Sequence, residues 1–513
     1  MKDTRKLIAA LQNPDLYNHP VHYFKVIETH VSFVILTGEF AYKIKKPVDF
    51  VFLDYSTLEK RKHFCNLEWE FNQPLAKEIY LEVLPIYGSV EEPSFKSGEI
   101  IEYALKSREF SQQDLFSSLA KENKITKDYI LILAELIANF HHEITSDIES
   151  YLGTSQQVHE PVIQNFDQVI PLESDTNILK QLETLKIFAD QEWSRWHEVM
   201  NARKKTGFVK PCHGDIHLGN ITLFNQKPLI FDCIEFSEAI RVTDVMADVA
   251  FLYMDLVDQN LISYANILLN RYLQLTNDYQ GLAIFPYYLN YRAMVRAKIN
   301  LFQSIHAHDA EEKASTFNNY QRYLNLASRF TQKHQPKVIL LHGLSGSGKS
   351  TVANDLVEQF GFIQLSSDYA RKKLAGVDEH AQLNQSWLNG YYHPDFTIKI
   401  YEYLLATLNI CVDAGYSVVV DATFGLKQQR ELFLSYLQEQ NIDWRFVHCV
   451  ADDDISEKYL VARKTANDQI SEAGTDIRKM QQQTFEALTA AENQFVLENL
   501  NYDSSQVLKW VSE

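Results

Sequence analysis

The sequence predicts two domains of different class in one chain: an α+β domain of two lobes over residues 1–334, then an α/β domain over residues 335–513. Three observations carry this. The chain opens with β-rich runs to about residue 106 and turns helical from 107 to 334, so a small lobe precedes a larger one. The polar stretch "TQKHQP", Thr331 to Pro336, then ends in a residue that cannot continue a helix, which marks a domain joint. Beyond it, strand and helix patterns alternate, the mark of a parallel sheet with helices on both faces.

Each element has a local reason. "HVSFVILTG" and "EFAYKIKKPVDFVF" are rich in β-branched and aromatic residues and meet at Gly38-Glu39, which predicts a hairpin. "STLEKRKHFCNLEWEFNQPLA" predicts a helix, with Ser56 and Glu59 as a capping box and Pro74 near its end. "IYLEVLPIYG" and "EIIEYALKS" predict two more strands. Helices follow, among them "KDYILILAELIANFHHEI", and are interrupted by the loop-and-strand segment "KPCHGDIHLGNITLFNQKPLIFDCIEF". In the second domain, "KVILLHG", "FIQLSSD", "YSVVVDATF" and "WRFVHCVAD" predict four strands.

Composition narrows the functional classes. A chain of 513 residues exceeds one ordinary core, and 46% hydrophobic content argues for folded structure. A net charge of −18 argues against broad nucleic-acid binding, which needs cationic surface. The five cysteines are scattered without a C-x-x-C pair, as expected of buried thiols in a reducing compartment rather than a zinc site. With no apolar leader and no long apolar run, the expectation is a cytoplasmic protein without a membrane span.

Phosphoryl transfer needs an oriented hydroxyl, a metal ion on the phosphates and a cation beside them. In "HGDIHLGN", Asp215 is placed to take or orient the hydroxyl proton, and Asn220, five residues on, to reach magnesium. "PLIFDCIEF" follows, and Asp232 ends its apolar run where a metal-binding carboxylate is wanted. His213 is expected to fix the loop by hydrogen bonds, and Asp244 and Asp248 to cap or brace the following helix. HGDxxxxN followed by a strand-borne aspartate resembles the aminoglycoside phosphotransferase-like branch of the protein-kinase-like fold. That resemblance implies an ATP-phosphate lysine in "AYKIKKP", either Lys43 or Lys45, since both fall on one strand face. It implies an ion-pair partner in Glu68, with Glu70 as the weaker choice, and a hinge in "EYALKSREF". Two family features are missing: a glycine-rich loop between the first strands, and a recognisable aminoglycoside pocket.

"LLHGLSGSGKST" satisfies G-x-x-x-x-G-K-[ST] between a strand and a helix, the context of a P-loop NTPase domain. Gly343, Ser345, Gly346, Ser347, Gly348 and Thr351 supply the ATP cradle, Lys349 the phosphate cation and Ser350 a magnesium ligand. Asp368 ends the second strand as a candidate base, Arg371 follows as a candidate acceptor contact, and Asp421 ends the third as a candidate metal ligand. Arg463, with Lys464, is the candidate lid cation. These features resemble the small P-loop kinases related to zeta toxins and polynucleotide 5′-kinases. They depart at Asn467, where that family often has a second arginine.

The expectation is thus an ATP- and magnesium-dependent enzyme with two nucleotide sites, moving the γ-phosphate to the hydroxyl of a sugar-like or nucleotide-like small molecule. Two alternatives stand beside it. One is a polynucleotide 5′-hydroxyl kinase activity in the second domain, the lesser choice for so acidic a chain. The other is a non-enzymatic, nucleotide-dependent regulator or antitoxin-like module with one degenerate half.

Overall fold

β-branched and aromatic runs at the start of the chain pair into a six-stranded antiparallel sheet in the computed structural model. Its strands are Lys25–Glu28, Ser32–Leu36, Phe40–Lys45, Tyr80–Gly88, Pro93–Ser94 and Ile100–Arg108. In space the 100–108 strand lies between 40–45 and 80–88, which places it in the middle of the sheet. Ile35, Ile44, Ile86 and Ala104 are fully buried on one face of it. The expected turn at Gly38-Glu39 joins the strands 32–36 and 40–45, with Leu36 opposite Ala41. The helix Leu58–Ala76 packs on the strands 80–88 and 100–108. Its N-cap is Thr57 rather than Ser56: the Thr57 hydroxyl accepts the Lys60 N–H at 3.3 Å, while Ser56 donates to Asp54 at 2.5 Å.

The structure describes residues 2–50, 53–146, 148–377, 391, 393–452, 456 and 475–513. It divides into two units, Met1–Leu261 with Ile284–Thr331, and Ile262–Ala283 with Gln332–Glu513. The helix Ile262–Thr276 therefore groups with the second unit, although a single cut at 334/335 leaves it in the first. In the remaining helical part of the first unit, the hairpin Ile221–Phe224 and Lys227–Ile230 turns through Asn225 (φ 50°) and Gln226 (φ 64°). Two consecutive left-handed residues make a tight turn whose twist matches the strands. The hairpin's open end brings Asn220 beside Phe231, whose N–H donates to the Asn220 carbonyl at 2.9 Å.

The second unit holds a five-stranded parallel sheet in the order 363–366, 418–421, 337–342, 443–450, 496–500. Four of these strands are those read from the sequence, and Val496–Leu500 is a fifth. The helix Lys349–Phe360 buries Val352, Ala353 and Leu356 against Ile339 and Leu341 of the central strand. All five cysteines are buried and free. Among the described residues no helix is long and apolar enough to cross a membrane.

Candidate functional site

Lys43 and Lys45 share a strand face, and the structure gives them different partners. The Lys43 ammonium donates to Glu68 Oε1 at 2.7 Å and to Asp232 Oδ1 at 2.8 Å. Lys45, 1% exposed, donates to Glu68 Oε2 at 2.6 Å, to Tyr55 at 3.3 Å and to Glu235. Burial opposes ionisation of Glu68, but the two lysines outweigh it and hold the carboxyl below its usual range. Burial likewise works against both ammonium groups, and their carboxylate partners, Asp232 foremost at Lys43 and Glu235 at Lys45, more than restore them. Lys43 is the lysine that meets Asp232; Lys45 is locked in a buried network.

The loop 211–220 is tied at several points. Asp248, fully buried, accepts the N–H groups of His213 and Gly214, each at 2.8 Å, and lies 3.3 Å from His141. It braces this loop rather than only its own helix, because two backbone donors converge on its carboxylate. Asp244 does cap the following helix, accepting the Met246 N–H at 3.0 Å, and also pairs with Arg203. His213 bonds the Phe231 carbonyl through Nε2 at 3.0 Å and accepts the Asp215 N–H through Nδ1 at 3.3 Å. Burial lowers its pKa against the pull of Asp248 and Asp215. Asn220 donates its amide to Asp215 Oδ2 at 3.1 Å, and His217 Nε2 sits 3.5 Å from the same oxygen. Burial pushes the Asp215 carboxyl up, yet His217 and His213 overcome it and bring it down to about 2.

In the second unit the loop between strand 337–342 and helix 349–360 is built on glycine. Gly343 has φ 154°, and a Cβ there would lie 2.4 Å from the Cys449 carbonyl oxygen. Gly348 has φ 91°, and its Cβ would lie 2.4 Å from the Tyr502 ring. The Lys349 ammonium folds over the loop carbonyls of Gly343 and Leu344 at 3.0 and 2.9 Å. Burial lowers its pKa against the pull of Asp421. Ser350 donates to Asp421 Oδ2 at 2.9 Å, so the two residues expected at the metal are joined. Burial raises the Asp421 carboxyl.

With both geometries in place, a family model described as "Phosphotransferase enzyme family" matches residues 142–285, and one described as "AAA domain" matches residues 338–488. A phosphotransferase domain is followed by a P-loop kinase domain. The chain is a phosphotransferase enzyme. Uncharacterized proteins of Mycobacterium tuberculosis and Mycobacterium bovis are 27% identical over 465 residues, covering 88% of this chain and 89% of theirs. A Plasmodium vivax ethanolamine kinase structure is 12% identical over 63% of this chain and 88% of its own, with a TM-score of 0.37. An APS kinase of Mycobacterium tuberculosis is 20% identical over 35% of this chain and 99% of its own, with a TM-score of 0.25.

In the first unit, then, Lys43, Glu68 and Asp232 meet in one ion-paired group, and Asp215 and Asn220 in another beside the same hairpin end. Where a glycine-rich loop is missing, Thr29 to Val31 forms a short turn. Thr29 Oγ1 accepts the Ser32 N–H at 2.9 Å, and the Lys46 ammonium bonds the Thr29 carbonyl. Asn220, with its amide nitrogen engaged, and Asp232, 43% exposed, offer oxygen ligands, the hard donors that suit magnesium. Ser350 and Asp421 offer the same in the P-loop kinase domain.

In that domain Asp368 and Arg371 open the helix Ser367–Ala375, with the Arg371 guanidinium donating to the Tyr391 carbonyl. Arg463 and Lys464 lie outside the described residues. Sequence reasoning missed a second cation at the glycine loop. Arg478 donates to the Ser345 carbonyl at 2.6 Å, and Gln481, one turn on, accepts the Ser345 N–H at 2.9 Å. Glu235 was missed in the first domain, although it stands three residues after Asp232 in "DCIEF".

Proposed function

We propose that the phosphotransferase domain moves the γ-phosphate of ATP to a hydroxyl of a small-molecule acceptor at Asp215, and that the P-loop kinase domain holds a second ATP site at Lys349. The observation that carries the first part is the Lys43 ammonium, joined at once to Glu68 at 2.7 Å and Asp232 at 2.8 Å. Such a lysine is pre-positioned for phosphate oxygens, next to the carboxylate that holds the metal. Asp215, ionised and steered by Asn220, accepts the hydroxyl proton as the acceptor oxygen attacks. Asn220 and Asp232 are the residues to hold magnesium there, and Ser350 and Asp421 in the second site. Bound Mg-ATP supplies the transferable phosphoryl group and the charge neutralisation its transfer needs.

In the P-loop kinase domain the loop amides and Lys349 hold the phosphates, Asp368 serves as base and Arg371 as acceptor contact. The test is phosphate transfer from γ-labelled ATP by the full-length chain, compared with Asp215→Ala and Lys349→Ala. Loss of the base lowers transfer at the first site by about 10²- to 10⁴-fold. Unchanged transfer and ATP binding in both variants refutes the reading.

A further inference from the structure

Two guanidinium groups, Arg292 and Arg296, act on Asp215 in addition to the residues proposed for phosphate transfer. Helix Phe285–His306 packs along helix Val245–Asp258 in the same unit and carries Arg292 and Arg296, four residues apart on one face. Arg292 is 3% exposed; its Nε donates to the Ala247 carbonyl at 3.3 Å, and its guanidinium lies 4.9 Å from the centre of the Phe251 ring. That ring lies 5.6 Å from the ring of His217, which in turn stands 3.5 Å from Asp215. Arg296, a turn further on, lies 5.6 Å from the Tyr323 ring and is hydrogen-bonded to the Tyr323 side chain, while its Nε is buried without a hydrogen-bond acceptor. Burial works against its charge, while Tyr323, Asp255 and Asp215 sustain it; the same guanidinium opposes ionisation of His217.

A buried guanidinium N–H without an acceptor is an unmet strong donor. Asp255, the nearby buried carboxylate, is already engaged with the Leu218 N–H at 2.8 Å. The guanidinium fork fits the paired oxygens of carboxylate and phosphate, and an ammonium-bearing acceptor brought beside it is repelled. We infer that the acceptor phosphorylated at Asp215 carries an anionic group, a phosphate or a carboxylate, that Arg296 binds while the acceptor hydroxyl faces Asp215. This deepens the proposed activity of the first site and rests on it. It also separates this site from one built for polycationic aminoglycosides.

The experiment uses the full-length chain, γ-labelled ATP and four acceptors: ribose phosphate, gluconate, ribose and kanamycin. Ribose phosphate or gluconate is labelled, and Arg296→Gln raises its KM by about 10- to 100-fold with a smaller change in kcat. Arg296→Lys recovers part of that loss, keeping the charge without the fork. Circular dichroism of both variants checks that they fold. Labelling that prefers ribose or kanamycin overturns the inference, as does a KM for the anionic acceptor that ignores Arg296. If no acceptor is labelled, calorimetric binding of ribose phosphate and gluconate decides, and the absence of Arg296-dependent binding overturns it too. Labelling that persists in Asp215→Ala and is lost in Lys349→Ala overturns the inference too, because the second site then carries it, whereas labelling that persists in both variants strikes at the proposed reaction.

Discussion

The two proposed phosphate-handling sites are made of different material. In the first unit the proposed working groups are side chains drawn from residues 43, 68, 215, 220 and 232, and they hold one another by ion pairs and amide contacts. In the P-loop kinase domain the cradle is eight consecutive residues, Gly343 to Ser350, whose backbone shape does most of the positioning. A site built from side chains tolerates distant sequence but fails when one charge is left alone. A site built from backbone tolerates little change in conformation and is less exposed to loss of a single charge.

Breaking that contrast begins with the two lysines. Lys45→Ala leaves Glu68 and Glu235 buried beside a missing charge and costs about 3–5 kcal/mol of stability in its domain. Lys43→Ala instead lowers phosphate transfer at the first site by about 10²- to 10³-fold with far less effect on melting. Thermal unfolding and kinetics on the two variants decide, and a reversed pattern means the roles are exchanged. Next in size, Gly348→Ala forces a side chain against the Tyr502 ring at a left-handed position. Nucleotide affinity at the second site falls by about tenfold or more while transfer dependent on Asp215 persists. If affinity holds, the backbone description of that site is wrong.

Smaller effects sharpen the comparison. Arg478→Ala removes a guanidinium from the Ser345 carbonyl and weakens nucleotide binding by about 10-fold, read by calorimetry. The subtlest is a pH effect. Asp215 has its pKa depressed to about 2, so its ionised form supports the fold above the usual value of about 3.9 and loses that as pH falls through the lowered one. Replacing His217 with Gln removes the largest influence opposing burial. The acid limb of kcat/KM for the first site then moves to higher pH, and an unmoved limb rejects His217 as the source of the depression.

Contiguity decided how much was legible beforehand. The glycine loop could be read because eight neighbouring residues specify it, and HGDxxxxN with a following strand-Asp is nearly as local. Lys43 and Lys45 could not be told apart, because a period of two puts both on one face and only the fold brings Asp232 to one of them. Glu235, Asp248, Arg296 and Arg478 work through partners from 27 to 190 residues away, as with Arg296 and Tyr323 or Lys45 and Glu235, and no spacing rule reaches that far. The strand Val496–Leu500 escaped notice because its alternation is broken by Glu498 and Asn499. The helix cap fell one residue from its expected place because Ser56 had a nearer partner in Asp54.

Asn270, on the helix Ile262–Thr276, has a consequence for how this chain can be divided. Its amide donates to the Phe362 carbonyl at 3.0 Å and accepts the Gln364 N–H at 2.8 Å, so one side chain imitates a neighbouring strand at the edge of the parallel sheet. A gene fragment beginning at residue 335 would lack that guard and present a bare strand edge, an invitation to self-association. The polypeptide is therefore interleaved rather than concatenated. Shuffling its halves by recombination at the polar joint would separate the second sheet from a piece of its own structure.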